Sequence, residues 1–278
     1  MASRLKSLAR SALIYLRRKF TDPISRELRF SRVIKQAEKN PLISNPRRYF
    51  SQNDEDGILL NILARIEKES PGTFIEFGVG DGRENNTLIL LAMGWRGVWI
   101  GAEDLCISRL GERLSFVKAW ITRENATNLA ESGLSSLQLD MNEVFLISVD
   151  IDGNDYYVCD ALLKSGVRPT VFVVEYNGSF PPNVNFKIDY RGDFRGNGSD
   201  YYGASLGAWH ELFSRYDYFL VACNMTGSNA FFVNAKYTRV FQDLPRKIEE
   251  LYMPPNYEIF PEAWHWRSHE TIEFIVQK

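Results

Sequence analysis

Residues 74–83, Phe-Ile-Glu-Phe-Gly-Val-Gly-Asp-Gly-Arg, constrain this chain more than any other stretch. An apolar, strand-like run carries Glu76 and passes directly into glycines at alternate positions, Gly78, Gly80 and Gly82. This predicts a buried strand turning into a nucleotide-binding loop, because residues without a Cβ reach positive φ and let the backbone close on a ligand. A carboxylate just before such a turn can accept from hydroxyl or ammonium donors.

The rest of the chain alternates apolar runs with helical stretches. Segments 97–102, 116–121, 144–151 and 170–174 read as buried strands, and 88–93, 105–114 and 156–163 as helices between them. Residues 51–57, Ser-Gln-Asn-Asp-Glu-Asp-Gly, lead into an apolar helical run at 58–63, with Ser51 or Asn53 as its expected N-cap. Later, 218–223 and 230–234 are strand-like and separated by the turn-forming segment 225–229, which predicts an antiparallel hairpin. The expected fold is α/β: a Rossmann-like, doubly wound, mostly parallel seven-stranded sheet closed by a C-terminal antiparallel hairpin. Ligands then belong beyond the carboxyl ends of the strands. The expected organisation is a basic helix and connector at 1–48, the sheet domain at 49–240, and an aromatic extension at 241–278 that covers a sheet edge or forms a lid.

A parallel sheet closed by a hairpin, with an acid and Gly-x-Gly after its first strand, resembles the class I S-adenosylmethionine-dependent methyltransferases. The dinucleotide fingerprint G-x-G-x-x-G would require glycine at position 83, where this chain has Arg83. The spacing Asp150-x-Asp152-Gly153-x-Asp155 is similar to an Asp-x-Glu-Gly-x-Glu element of FkbM-type methyltransferases, with Asp for Glu at two positions. Together with Gln52 to Gly57 and Tyr202 to Leu206, this likeness spans roughly residues 50 to 235.

The resemblance implies S-adenosylmethionine as methyl donor, held by Glu76, Gly78, Gly80, Asp81 and Gly82. Glu103, about twenty residues beyond the loop at the end of the next strand, suits the ribose hydroxyls under either nucleotide reading. Glu124 and Asn125, after the third strand, fall where such enzymes hold adenine. At the ends of the fourth and fifth strands, Asp150 and Asp152 share a face in an extended chain, as do Glu175 and Asn177. Asp150 and Asp152 are the expected catalytic pair. By analogy with metal-dependent O-methyltransferases, Asp152, Glu175 and Asn177 are the expected Mg²⁺ ligands, with a plain hydrogen-bonded network as the alternative. The polar stretch 178–203, with Phe180, Phe186, Tyr190, Phe194, Tyr201 and Tyr202, is the expected acceptor pocket.

The expected activity is therefore O-methylation of a hydroxyl on a sugar or glycoconjugate, that is, polysaccharide modification in the cytoplasm. An NAD(P)-dependent oxidoreductase and a non-catalytic, membrane-associated interaction protein are the alternatives. A net charge of −2 gives no reason to expect nucleic acid as a partner, a local basic patch aside. Residues 1–20 carry basic residues and no acid at amphipathic spacing, which suggests peripheral contact with the inner membrane face or packing on the domain. Cys106, Cys159 and Cys223 match no metal-ligand or disulfide pattern, and the three histidines form no zinc or triad spacing.

Overall fold

The computed structural model describes residues 23–260 and 267–277. The expected basic helix at 1–20 and His265 lie outside these residues. The elements, in chain order, are α1 (Pro23–Ala37), α2 (Glu55–Arg65), β1 (Thr73–Phe77), α3 (Leu88–Ala92), β2 (Arg96–Gly101), β3 (Leu114–Lys118), α4 (Ala126–Ser136), β4 (Val144–Val149), α5 (Asp155–Lys164), β5 (Val171–Glu175), α6 (Leu206–Ser214), β6 (Tyr218–Cys223), β7 (Asn229–Asn234), α7 (Ile248–Leu251) and α8 (His269–Gln277).

Seven strands form one sheet in the order β3-β2-β1-β4-β5-β7-β6. Strands β1 to β5 are parallel, and β7 runs antiparallel to both β5 and β6. This is the expected doubly wound sheet with a closing hairpin. The chain winds outward from β1 through β2 to β3, then returns to lay β4 on the other side of β1. The crevice at that reversal opens beyond the carboxyl ends of β1 and β4. Strand β1 is buried along its whole length, as a strand covered by helices on both faces must be.

Helix α2 buries Ile58, Leu59, Ile62 and Leu63 on one face. Its N-cap position is Asp54, whose side chain makes no capping bond. Ser51 nevertheless serves the helix start, because its hydroxyl accepts from the amide of Asp56 at 3.2 Å. Ile272, Ile275 and Val276 of α8 enter the same core as Val33 and Ala37 of α1.

Two elements differ from the sequence expectation. Residues 105–114 form no helix: Leu105 and Ile107 turn inward while Leu110 stays exposed, and the Cys106 amide bonds the Asp81 carbonyl at 2.8 Å, tying the segment to the glycine loop. Helix α4 was not anticipated because its inward face is mainly small, with Ala126, Ala130, Gly133 and Leu134. Gly133 is what lets it press onto Val98 and Val117. The strand expected at 116–121 is β3, displaced toward its N-terminus, and the strand expected to reach 151 ends at Val149. All three cysteines are free. No helix among the described residues is long and apolar enough to cross a membrane.

Candidate active site

Gly78 follows β1 directly and donates to the carbonyl of Ile100 at 2.8 Å. Its φ is 89°, and a Cβ there would run into the carbonyl oxygen of Asp150. The glycine loop therefore passes against the end of β4 at a distance no side chain permits. Gly80, at φ 50°, opens to free space. Asp81 is paired with the Arg83 guanidinium and accepts from the Arg83 amide at 3.2 Å. Arg83, where a dehydrogenase would have glycine, thus braces the loop.

Glu76 is buried and faces the segment that enters α3. One carboxylate oxygen accepts from the Asn86 amide at 2.8 Å, and the other from the Thr87 amide at 3.1 Å and from the Thr87 hydroxyl. Trp99 Nε1 in turn donates to that hydroxyl at 3.0 Å. Burial raises the Glu76 pKa, while the bonds from Thr87, Asn86 and Asn85 oppose the rise.

Three adjoining clefts meet at Asp150 and Asp152. One, of about 910 Å³, runs along the glycine loop past Gln52, Glu76, Asn86 and Arg267. A second, of about 190 Å³, lies between that loop and the ends of β2 and β3, lined by Glu103, Ala119, Trp120, Ile121 and Phe194. The third, of about 830 Å³, opens on the β5 side against Glu175, Tyr202, Ser228, Asn229, Tyr257 and Phe260. Gly78, Gly80, Asp81 and Glu103 are thereby gathered around one crevice, with the Glu103 carboxylate exposed at its rim.

Glu124 and Asn125 line none of these clefts. Glu124 accepts from the Tyr190 hydroxyl and from Arg123 Nε at 2.8 Å, bonds that pull its pKa down to about 2. Asn125 closes the turn after β3, accepting from the Thr122 amide at 2.8 Å and donating to the Trp120 carbonyl at 2.9 Å. The β3 side of the small cleft is lined instead by Ala119, Trp120 and Ile121. An aromatic residue just after a strand end was the available signal.

Asp150 and Asp152 both reach the crevice, but from a loop rather than from an extended strand, since Asp152 has φ 57°. Burial, reinforced by the charges of Asp155 and Asp152, pushes the Asp150 pKa well above the carboxylate range. Asp155 accepts from the amides of Ile151 at 2.7 Å and Gly153 at 2.8 Å, and burial still moves its pKa up to about 6. Glu175 is shifted upward by burial and then by Asp150, and its Oε2 is enclosed without a hydrogen-bond partner.

Asn177 is fully buried and does not face the crevice. Its Nδ2 donates to the carbonyls of Asp200 at 2.7 Å and Tyr202 at 3.0 Å, and its Oδ1 accepts from the Ser179 amide at 3.1 Å. The expected cation set of Asp152, Glu175 and Asn177 is therefore not assembled; the carboxylates that converge are those of Asp150, Asp155 and Glu175, within 4.8 Å of one another.

Residues 178–203 are a folded strap. Besides Asn177, Trp120 Nε1 holds the Gly192 carbonyl at 2.7 Å, and Tyr157 holds the Ile188 carbonyl at 2.7 Å. Most of its aromatic rings pack on neighbours: Phe180 stacks on Phe186, and Tyr190 leans on Tyr157 beneath Arg123. Tyr202 faces the wide cleft, and Phe194 faces the small one. Sequence reasoning missed the opposite wall. There Glu55 accepts from Asn224 Nδ2 at 2.6 Å and Asn229 Nδ2 at 3.2 Å, clipping the start of α2 to the hairpin turn. The acidic run at 54–56 was its signal. Its targets, 169 and 174 residues later, were not legible.

No family model and no curated protein sequence matches the chain. Among solved structures, it is similar to cofactor-bound Rv0187 from MTB at 14% identity and TM-score 0.38, covering 81% of this chain and 96% of that one. It is similar to the carbon methyltransferase CurJ at 8% identity and TM-score 0.41, covering 82% and 70%. The O-methyltransferase TomG from Streptomyces achromogenes, involved in tomaymycin synthesis and solved with SAM, is 17% identical with TM-score 0.32, covering 81% and 96%. At these scores the likeness carries no argument about chemistry. The strand order and the reversed β7 stand on their own as the doubly wound sheet with a closing hairpin that the sequence predicts.

Proposed function

We propose that the chain is an FkbM-like, S-adenosylmethionine-dependent O-methyltransferase acting on a hydroxyl of a sugar or glycoconjugate. The observation that carries this reading is the cleft at the β1/β4 switch point, where Gly78 packs its backbone against the Asp150 carbonyl and Gly80 opens to free space. The donor supplies a sulfonium-activated methyl group, which leaves by in-line displacement when the acceptor oxygen is aligned behind it. Positioning is then the protein's larger contribution.

In this reading Gly78, Gly80 and Asp81 shape the donor cleft, and Glu103 accepts from ribose hydroxyls at the mouth of the smaller cleft. Glu76 acts one step removed, by holding residues 86–87 beneath the loop. Asp152, exposed and common to all three clefts, takes the acceptor proton, with Asp150 beside it. Tyr202, Tyr257 and Phe260 present rings next to Gln52, Asn53 and Ser199, and this mixture of flat apolar faces and short polar groups suits a sugar.

Calorimetry with S-adenosylhomocysteine tests the donor. Binding is expected, and Glu103→Ala should weaken it about 10- to 100-fold through loss of charge-assisted bonds. Heat with NAD and none with S-adenosylhomocysteine would reverse the assignment. For the acceptor, methyl-labelled donor incubated with glycan fractions should yield base-stable methyl ether; label found only in amines would overturn the hydroxyl.

A further inference from the structure

Glu175 Oε2 and Asn229 Oδ1 are buried and accept no hydrogen bond. The two residues are neighbours: Glu175 closes β5, Asn229 opens β7, and they pair directly across the antiparallel ladder. Their side chains therefore rise from the same face of the sheet, side by side. Asn229 is only 5% exposed, and its Nδ2 donates to Glu55 at 3.2 Å, which fixes the end of the amide that carries the oxygen. A buried acceptor left alone is costly, so two in register on one cleft wall call for a shared electropositive ligand.

The surrounding charges point the same way. Asp150, Asp155 and Glu175 each bring a carboxylate oxygen within 4.8 Å of the others. No lysine, arginine or histidine among the described residues forms a salt bridge with any of them. Asp155 already uses its oxygens to hold the Ile151 and Gly153 amides. Asp150 and Glu175 are left facing the wide cleft, and Asn229 lines it with them.

From this arrangement we infer a divalent-cation site made by Asp150, Glu175 and Asn229, a set the sequence did not suggest. Two carboxylates and an amide carbonyl offer oxygen alone, which selects a hard ion such as Mg²⁺, Mn²⁺ or Ca²⁺ over zinc or copper. The ion joins β4, β5 and β7 at the crevice and offsets the repulsion among carboxylates that no salt bridge among the described residues neutralises. It does not depend on the identity of the methyl donor. If that reading also holds, the ion lies on the acceptor side, where it lowers the pKa of a bound hydroxyl.

The test uses the full chain, stripped with chelator and titrated with Mn²⁺ while the free-ion electron paramagnetic resonance signal is followed. One equivalent should bind with a dissociation constant between about 10⁻⁷ and 10⁻³ M. The near-isosteric variants Asp150→Asn and Glu175→Gln, checked for folding by circular dichroism, should each weaken binding at least about tenfold, the equivalent of one lost charge-assisted contact. Absence of an equivalent site at millimolar Mn²⁺, or affinity unchanged in both variants, overturns the inference. Should the variants not fold, anomalous diffraction from wild-type crystals soaked in Mn²⁺ decides: a peak among the three side chains upholds the site, and its absence there overturns it. S-adenosylhomocysteine titrated without metal reads the donor site separately, so either proposal can fail alone.

Discussion

At the scale of single residues, neighbouring acids in this chain have unrelated duties. In the run at 54–56, Asp56 gathers the amides of Tyr49, Phe50 and Ser51, Glu55 holds the hairpin turn, and Asp54 lies fully buried against the Met225 amide at 3.3 Å. Burial, followed by the charge of Glu55, raises the Asp54 pKa from 3.8 to about 8. The folded chain then holds this proton more tightly than the unfolded chain does. The associated stability is complete below about pH 4 and is lost as the pH rises toward about 8. Asp54→Asn, which cannot ionise, should therefore gain in Tm relative to wild type as buffers are stepped from pH 5 to pH 8. A Tm difference constant over that range would refute the assignment. Sequence shows Asp54, Glu76 and Glu175 as acids near predicted strand or helix ends, but their partners are 171, 11 and 54 positions away in the chain, at Met225, Thr87 and Asn229. Only assembly of the sheet decides which carboxylate faces a ligand and which supports a loop.

At the scale of elements, the glycine loop was legible because its requirement is local. Positive φ and closeness to a neighbouring strand demand glycine, and no distant residue can substitute. The glycines are not equivalent, however. A Cβ at Gly78 meets backbone, whereas one at Gly80 meets nothing within 4 Å. Gly78→Ala should cost about 3 kcal/mol or more and lower Tm by at least about 6 °C, while Gly80→Ala should cost about 1 kcal/mol and about 2–4 °C. Equal Tm losses in thermal scans would contradict this placement of the loop. Helix α4 and segment 105–114 show the reverse situation. The inward face of α4 is small because it lies tight on β2 and β3, so its hydrophobic signal is weak. The 105–114 segment has helix-compatible residues but runs as an irregular loop tied to Asp81 through the Cys106 amide. In both, tertiary packing overrides local preference.

At the scale of the whole molecule, the C-terminal segment closes back on the cleft along the glycine loop. Arg267 donates to the carbonyls of Phe50 and Arg83, and to that of Tyr49 at 3.0 Å, joining the entry to α2, the exit of the glycine loop and the start of α8. Helix α8 then packs on α3. Arg267→Met should loosen this junction, lowering stability by about 2 kcal/mol and speeding amide exchange across residues 267–277 while β1 and β4 stay protected. Exchange identical to wild type would show that the contact holds nothing. The sequence by itself determined the alternating architecture, the hairpin and the glycine loop, because periodicity and the demand for a missing side chain act over a few residues. Only the tertiary structure decided that Asn177 and Asn125 are tied to backbone, that Glu76 holds Asn86 and Thr87, and that Asn229 stands beside Glu175. Burial, register and hydrogen-bond partnership arise between segments far apart in the chain, and they exist only once the strands are side by side.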